Sequence, residues 1–279
     1  MATTVEQERP EAASTEEALL RQRLRRERIN KLVFRFLGYV FFLGIWEFAS
    51  GRILEEALIP GPTRVAQTIG DIWGRGDVPD AFRATLLRIF VGFTISFLIG
   101  AIIGIISQNR WLEGFFKDAV LVSLTAPGLI WALITAIVFG NREIGPIIAI
   151  VLTTFALVTV NVSEGIRALP KDLVDMGKAF DVGLLRRNRH IVIPHLAPYL
   201  FTGLRFGFSI AWKVTVLTEV FSSSRGIGFE MRLATQLFQT DEFLAWVLMF
   251  FFFALFLEKV VLQAFERRFF RWRQEVAAA

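Results

Sequence analysis

Four stretches of this sequence carry no charged side chain at all: residues 89–107, 119–141, 144–163 and 243–257. A run of about 18 or more apolar residues crosses roughly 30 Å of hydrocarbon as a helix, and the first three stretches reach that length. Inside a bilayer every backbone N–H and C=O must be satisfied within the segment, so such runs fold as helices. The rest of the composition agrees. Hydrophobic residues make up 54% of the chain and mean hydropathy is +0.51, whereas a soluble domain holds about 45–50% apolar residues with its charges interspersed. The fold class is therefore all-α and polytopic, and counting soluble domains by length does not apply.

Several function classes are excluded early. With no cysteine there can be no disulfide, thiolate metal site or cysteine nucleophile. The two histidines, His190 and His195, are too few for a histidine-rich metal cluster. A net charge of +5 and a pI near 10.0 could suggest nucleic acid. The basic residues sit at the ends of apolar segments, however, so no nucleic-acid partner is expected and the lipid bilayer is.

Six spans are predicted, at 32–49, 85–107, 119–139, 146–163, 198–221 and 243–265, forming a transmembrane domain over 32–265. Residues 1–31 read as a flexible tail leading into a short amphipathic helix, and 266–279 as a C-terminal tail. Gly100 and Gly104 form a small-xxx-small pair in the second span, which permits close helix packing. Pro127-Gly128 predicts a kink in the third. Ile59-Pro60-Gly61-Pro62 reads as a turn after the first, followed by a short amphipathic helix. Lys and Arg favour one set of flanking segments, the two tails and the 108–118 and 164–197 segments, by close to threefold. By the positive-inside rule both termini are then cytoplasmic.

The 164–197 segment is longer than a connection requires. Within it Leu173, Met176, Phe180 and Leu184 recur at helical spacing, between Lys171, Asp172, Asp175, Lys178 and Asp181. A strongly basic stretch from Arg186 to His190 follows, and Ile191-Val192-Ile193-Pro194 returns the chain toward the bilayer.

The run Asp175-Met176-Gly177-Lys178-Ala179-Phe180-Asp181, then nine residues, then Ile191-Val192-Ile193-Pro194, resembles the EAA loop of binding-protein-dependent ABC importer permeases. That pattern reads Glu-Ala-Ala, three residues, Gly, nine residues, Ile-x-Leu-Pro. Two departures stand out: Met176 replaces the first Ala and Asp181 replaces the Gly. Asp tolerates left-handed backbone better than most residues, which keeps the turn open to it. Further matches cover roughly residues 36–270. Trp46-Glu47 with Ile59-Pro60-Gly61-Pro62, the Ala126-Pro127-Gly128-Leu129-Ile130-Trp131 run, Pro198 through Arg205, Ala211-Trp212 and Gly226-Ile227-Gly228 are together similar to the nitrate/sulfonate/taurine/bicarbonate subgroup.

The resemblance implies a type I importer permease fold in a prokaryotic cell membrane, with a small anion such as nitrate, bicarbonate, taurine or another sulfonate as cargo. It implies that the EAA segment, with Asp175, Met176, Gly177, Lys178, Asp181, Ile191 and Pro194, docks on a cytoplasmic ATPase subunit. No Gly-x-x-x-x-Gly-Lys-Ser/Thr occurs in this chain, so ATP and Mg would be held by that separate polypeptide. An extracytoplasmic solute-binding protein and a second permease, an identical copy or a paralogue, complete the implied assembly.

Ionisable residues inside spans are costly and become functional candidates by default. Lys213 lies about fifteen residues into span five, roughly 22 Å along a helix. It reads either as an anion-attracting charge in the pathway or as a structural partner of Glu47 or Glu219. Glu219 and Glu47 are themselves pathway candidates. Trp131, Asn161 and Trp212 could line the path or pack between helices. An ion-coupled secondary transporter is the alternative class, although midplane ionisable clusters and internal repeats are not evident. A membrane enzyme would need a convergent acid, base or metal set that two histidines in one loop do not supply.

Overall fold

The computed structural model describes the backbone of residues 5–53, 55–262 and 264, and the side chains of 26, 27, 29–53, 55–260 and 264. The C-terminal tail expected at 266–279 lies outside the described residues, as do the side chains of most of the N-terminal basic stretch. The described chain is helical throughout, in two compact units, residues 1–66 and 67–279.

The first unit is built on α1, Val5–Ala49, one helix of 45 residues. The helix is continuous through the boundary expected at residue 31, and its last part, Ile29–Ala49, is long and apolar enough for the expected first span. No proline occurs between residues 11 and 49, and residues 11–31 are dominated by strong helix formers (Ala, Glu, Leu, Arg, Gln), so nothing stops the helix between the polar stretch and the span. At the end of α1 the carboxylate of Glu47 accepts hydrogen bonds from the Thr63 N–H at 3.1 Å and the Thr63 hydroxyl at 2.6 Å. It also lies against Gly61, where a Cβ would stand 2.8 Å from Oε2. Glu47 therefore clamps the Pro60-Gly61-Pro62 turn that opens α2, Pro62–Arg75.

In the second unit three long helices form the centre: α3 (Asp77–Ile106), α6 (Ile144–Arg167) and α9 (Ile193–Ser222). Glycines on α3 set the α3–α6 distance. A Cβ at Gly92 would stand 2.8 Å from Ile150, one at Gly100 2.7 Å from Val158, and one at Gly104 2.7 Å from Val162. The small-xxx-small pair read from the sequence is this seam. Hydroxyls supplement it: Ser96 and Thr154 share a hydrogen bond of 2.6 Å, and Ser163 donates to the Gly104 carbonyl at 3.1 Å. On α9, Gly207 receives the ring of Phe93. The core there consists of Ile89, Phe93, Ile150, Ala211 and Trp212.

The third expected span is two helices, α4 (Arg110–Thr125) and α5 (Gly128–Phe139), meeting at 101°. The kink anticipated at Pro127-Gly128 is thus a full break. Proline disfavours helical backbone in the residue before it, and Ala126 is extended at ψ 126°. Gly140, at φ 57° and ψ −142°, ends α5 in a conformation open essentially to glycine alone. The unit continues through α7 (Lys171–Ala179), α8 (Leu184–Arg187), a π-helical turn (Asn188–Val192), α9, α10 (Ile227–Gln236) and α11 (Thr240–Phe256). Among the described residues five helices are long and apolar enough to cross a membrane, and the α4–α5 pair makes a sixth if it counts as one span. Large apolar side chains point outward along α3, α5 and α11, among them Phe90, Ile102, Ile137, Phe252 and Leu255. An outer surface of that kind needs hydrocarbon or another protein against it.

Candidate functional site

The segment spliced between α6 and α9 has a defined shape. Helix α7 ends in a Schellman motif: the Val182 N–H donates to the Gly177 carbonyl and the Asp181 N–H to the Lys178 carbonyl, both at 2.9 Å. The motif needs left-handed backbone at its C′ position, and Asp181 supplies it with φ 49°. Aspartate therefore takes up the conformation for which the resembled pattern has glycine.

Gly177 is the buried residue of α7. A Cβ there would lie 3.2 Å from Arg187 and 3.5 Å from Ile191, so α7 folds back onto the segment that leads into α9. This contact joins Gly177 to Ile191, two positions fourteen residues apart that the sequence pattern singles out together. Pro194 sits in the first turn of α9, where a missing N–H costs nothing. The other face of α7 is open: Leu173, Met176 and Phe180 are 41%, 50% and 78% exposed. Asp175 and Lys178, one turn apart, pair at 2.8 Å in solvent. That hydrogen bond, with the ammonium charge behind it, holds the Asp175 carboxyl below its ordinary range.

The segment is tied tightly to the spans. At Gly165 near the end of α6, a Cβ would stand 2.8 Å from the Tyr199 ring of α9. Arg167 pairs with Glu113 of α4 at 2.5 Å. These contacts join the end of α6 to α9 and to α4, on either side of the segment.

A polar network occupies the opposite end of the second unit. Glu219 on α9 is fully buried, and its carboxylate accepts from Arg88 at 2.6 Å, Thr85 at 2.9 Å and the Gly228 N–H at 3.0 Å. Arg88, 3% exposed, also donates to Glu143 at 2.7 Å and to the Arg225 carbonyl at 2.8 Å. Glu143 in turn accepts from Arg225 at 2.8 Å. Burial by itself raises the Glu143 carboxyl, but hydrogen bonds from the two arginines outweigh it and hold the group below its ordinary 4.5. A cavity of about 700 Å³ opens beside this network, lined in part by Asp77, Asp80, Arg83 and Glu230. Burial, reinforced by Asp77 and Glu242, pushes the Glu230 carboxyl up.

The pathway candidates fall in different places. Glu219 belongs to the network just described and Glu47 to the α1 turn. Glu219 is not the partner of Lys213, which makes no hydrogen bond or ion pair with the described residues of its own unit and is exposed. Trp212 packs in the core and stacks on Phe250 with ring centroids 4.8 Å apart. Asn161 is half-buried, donates to the Leu157 carbonyl of its own helix at 2.8 Å and faces Gly203 of α9. Trp131 is half-buried on α5. Sequence reasoning missed the roles of Arg88, Thr85 and Glu143. A charge at the edge of an apolar run, facing a lone acid in another, was the available signal. It also missed the pairing of Arg205 with Glu258 at 2.8 Å, set at the π-helical turn that ends span six.

Comparison with known proteins agrees with this architecture. The family described as "binding-protein-dependent transport system inner membrane component" matches residues 82–271. The chain is 25% identical over 237 residues to the taurine transport system permease protein TauC of Escherichia coli, covering 83% of this chain and 86% of that one. It is 26% identical over 209 residues to the nitrate import permease protein NrtB of Synechococcus elongatus, covering 70% and 75%. The crystal structure of an amino acid ABC transporter with histidines shares the fold, with a TM-score of 0.57 at 18% identity over 67% of this chain and 92% of that one. Family membership leaves no ground for the secondary-transporter reading. The chain belongs to the binding-protein-dependent transport system inner membrane components, the permeases of ABC importers, is similar within them to sulfonate, taurine, nitrate and bicarbonate permeases, and is a transport subunit rather than an enzyme.

Proposed function

We propose that this chain is the permease of an ATP-driven importer for a small anion in a prokaryotic cell membrane, with both termini in the cytoplasm. An external solute-binding protein delivers the anion, and a second permease, most simply an identical copy, completes the path. ATP and Mg are bound by a separate cytoplasmic ATPase. The observation that carries the coupling role is the open face of α7. Leu173, Met176 and Phe180 stand out from a short helix whose other side is closed on Arg187 and Ile191. An apolar face that large favours a protein groove over water. The contact of Gly177 with Arg187 and Ile191 would pass a displacement of α7 into α9, and Gly165 and the Arg167–Glu113 pair would carry it on to α6 and α4 as a rigid-body movement.

The anionic cargo rests on the relatives, which include nitrate and bicarbonate permeases. The experiment is purification of the tagged chain from native membranes in mild detergent, with the co-purifying proteins identified. A P-loop ATPase in stoichiometric amount is the expected result. A chain that purifies alone and moves solute into liposomes without ATP would overturn the assignment.

A further inference from the structure

Helix α9 carries three charged side chains, Arg205, Lys213 and Glu219, of which Arg205 and Glu219 are in ion pairs. Lys213 lies nine residues before the end of the helix at Ser222, or about 14 Å at 1.5 Å per residue. It lies inside the span expected at 198–221 and beyond the reach of a lysine side chain to the helix end. The carboxylates of the other buried or half-buried acids on the spans are taken. Glu219 is held by Arg88, Thr85 and the Gly228 N–H, and Glu258 by Arg205 and Ser209. Lys213 is left exposed and without a hydrogen bond or ion pair among the described residues of the second unit.

Its direction follows from its neighbours. Trp212 turns toward α11, stacked on Phe250, and Val214 turns toward α5, where it stands 3.0 Å from the position of a Cβ on Gly128. Successive residues of a helix are rotated by about 100°, so Lys213 projects between those two directions, from the face of α9 left open between α11 and α5. Phe206, Ile210 and Leu217 share that face and are exposed or half-exposed. A bare ammonium at this depth is incompatible with lipid on the same face, since ionisable groups within spans face a protein interior or water. The contact at Gly128 also puts the start of α5, the positive end of its dipole, at the level of Val214. Both features at that level favour negative charge.

We infer that Lys213 faces the aqueous solute path and supplies the positive charge that carries an anion past the middle of the membrane. This deepens the importer reading and rests on it. Lys213 is then a residue that selects charge, acting after the solute-binding protein has released its cargo.

The test uses the absence of native cysteine. Lys213→Cys is placed in the complete importer, with its ATPase and binding protein, in proteoliposomes, and uptake of labelled nitrate, bicarbonate and an alkanesulfonate is measured. The substitution is expected to lower uptake of whichever anion the unaltered importer moves by at least tenfold. Stimulation of ATP hydrolysis by the loaded binding protein stays within twofold. Reaction with aminoethyl methanethiosulfonate, which rebuilds a lysine-like cation, restores at least a third of the uptake, and the sulfonatoethyl reagent restores none. Uptake at the original rate overturns the proposal. So does a thiol inert to both water-soluble reagents, equal rescue by both, or an unaltered importer that moves none of the three anions. Loss of ATP hydrolysis and assembly in both Lys213→Met and Lys213→Arg assigns the residue to packing and also overturns it. Failure of the importer reading itself is distinguishable, because it appears as the absence of a co-purifying ATPase before any thiol is introduced.

Discussion

Arg88 of α3 donates to the carboxylate of Glu219 of α9 at 2.6 Å, with neither side chain reaching solvent beyond 3%. A buried ion pair is a weak source of net stability, because desolvation offsets much of the attraction. Losing one partner is a different matter. Arg88→Met leaves the Glu219 carboxylate buried without a counter-charge and is expected to destabilise the protein by about 3–5 kcal/mol, whereas Glu219→Leu, which leaves Arg88 its ion pair with Glu143, is expected to cost less. The double substitution should cost clearly less than the sum of the two. Thermal unfolding in detergent, run as a double-mutant cycle, measures this coupling, and strict additivity would contradict it.

The α3–α6 seam has no room for side chains at its glycines. Gly104→Leu must displace Val162, and Gly100→Leu must displace Val158. Overpacking of this kind costs about 1–3 kcal/mol, so a lower melting temperature and loss of a monodisperse chromatographic peak are expected. Gly114→Ala on α4 meets nothing within 4 Å and should leave both unchanged or slightly improved.

At Asp181 the backbone is left-handed, φ 49°. Asp181→Gly and Asp181→Asn should keep the Schellman motif and full coupling. Asp181→Val, β-branched, pays roughly 1–2 kcal/mol in that conformation. It should uncouple ATP hydrolysis from uptake without reducing the amount of protein in the membrane. The ratio of solute moved to ATP hydrolysed reads the effect, and an unchanged ratio in the valine variant would remove Asp181 from the coupling element.

Glu143 ties Arg88 to Arg225, and its carboxyl is held below 4.5. For an acid with a depressed folded pKa, the stabilisation is complete above its unfolded value. It is lost as pH falls through the lowered folded value. The Arg225 loop should therefore loosen below about pH 4 and not between pH 5 and 8. Hydrogen exchange of the 223–228 segment across that range measures it. Glu143→Gln should show raised exchange at every pH and a smaller acid response.

Burial and two like charges raise the Glu230 carboxyl, so its ionised form opposes folding above the ordinary value of 4.5. Glu230→Gln is expected to raise the melting temperature at pH 7 by about 2 °C. Below pH 4, where both states are protonated, the difference should vanish.

Much was legible in the linear order of residues. Charge-free runs announce spans because hydrocarbon tolerates little else, and the spacing of Gly177, Asp181, Ile191 and Pro194 is local enough to mark one folded segment. The left-handed turn at Asp181 could be anticipated because it depends on one residue's backbone. Other features were not local. The α1 helix runs through the expected boundary at residue 31, since no breaker stands there. Pro127 announces a bend, but the 101° break depends on what α5 packs against. Charge assignment depended on the tertiary structure most of all. Lys213, Glu219 and Glu47 looked like possible partners in sequence, whereas packing gives Glu219 to Arg88, 131 residues away, and Glu47 to Thr63. Coulombic partners are chosen by distance in space, and helix rotation sets which side chains face one another. Only the packed helices could decide that Lys213 is not the partner of Glu219.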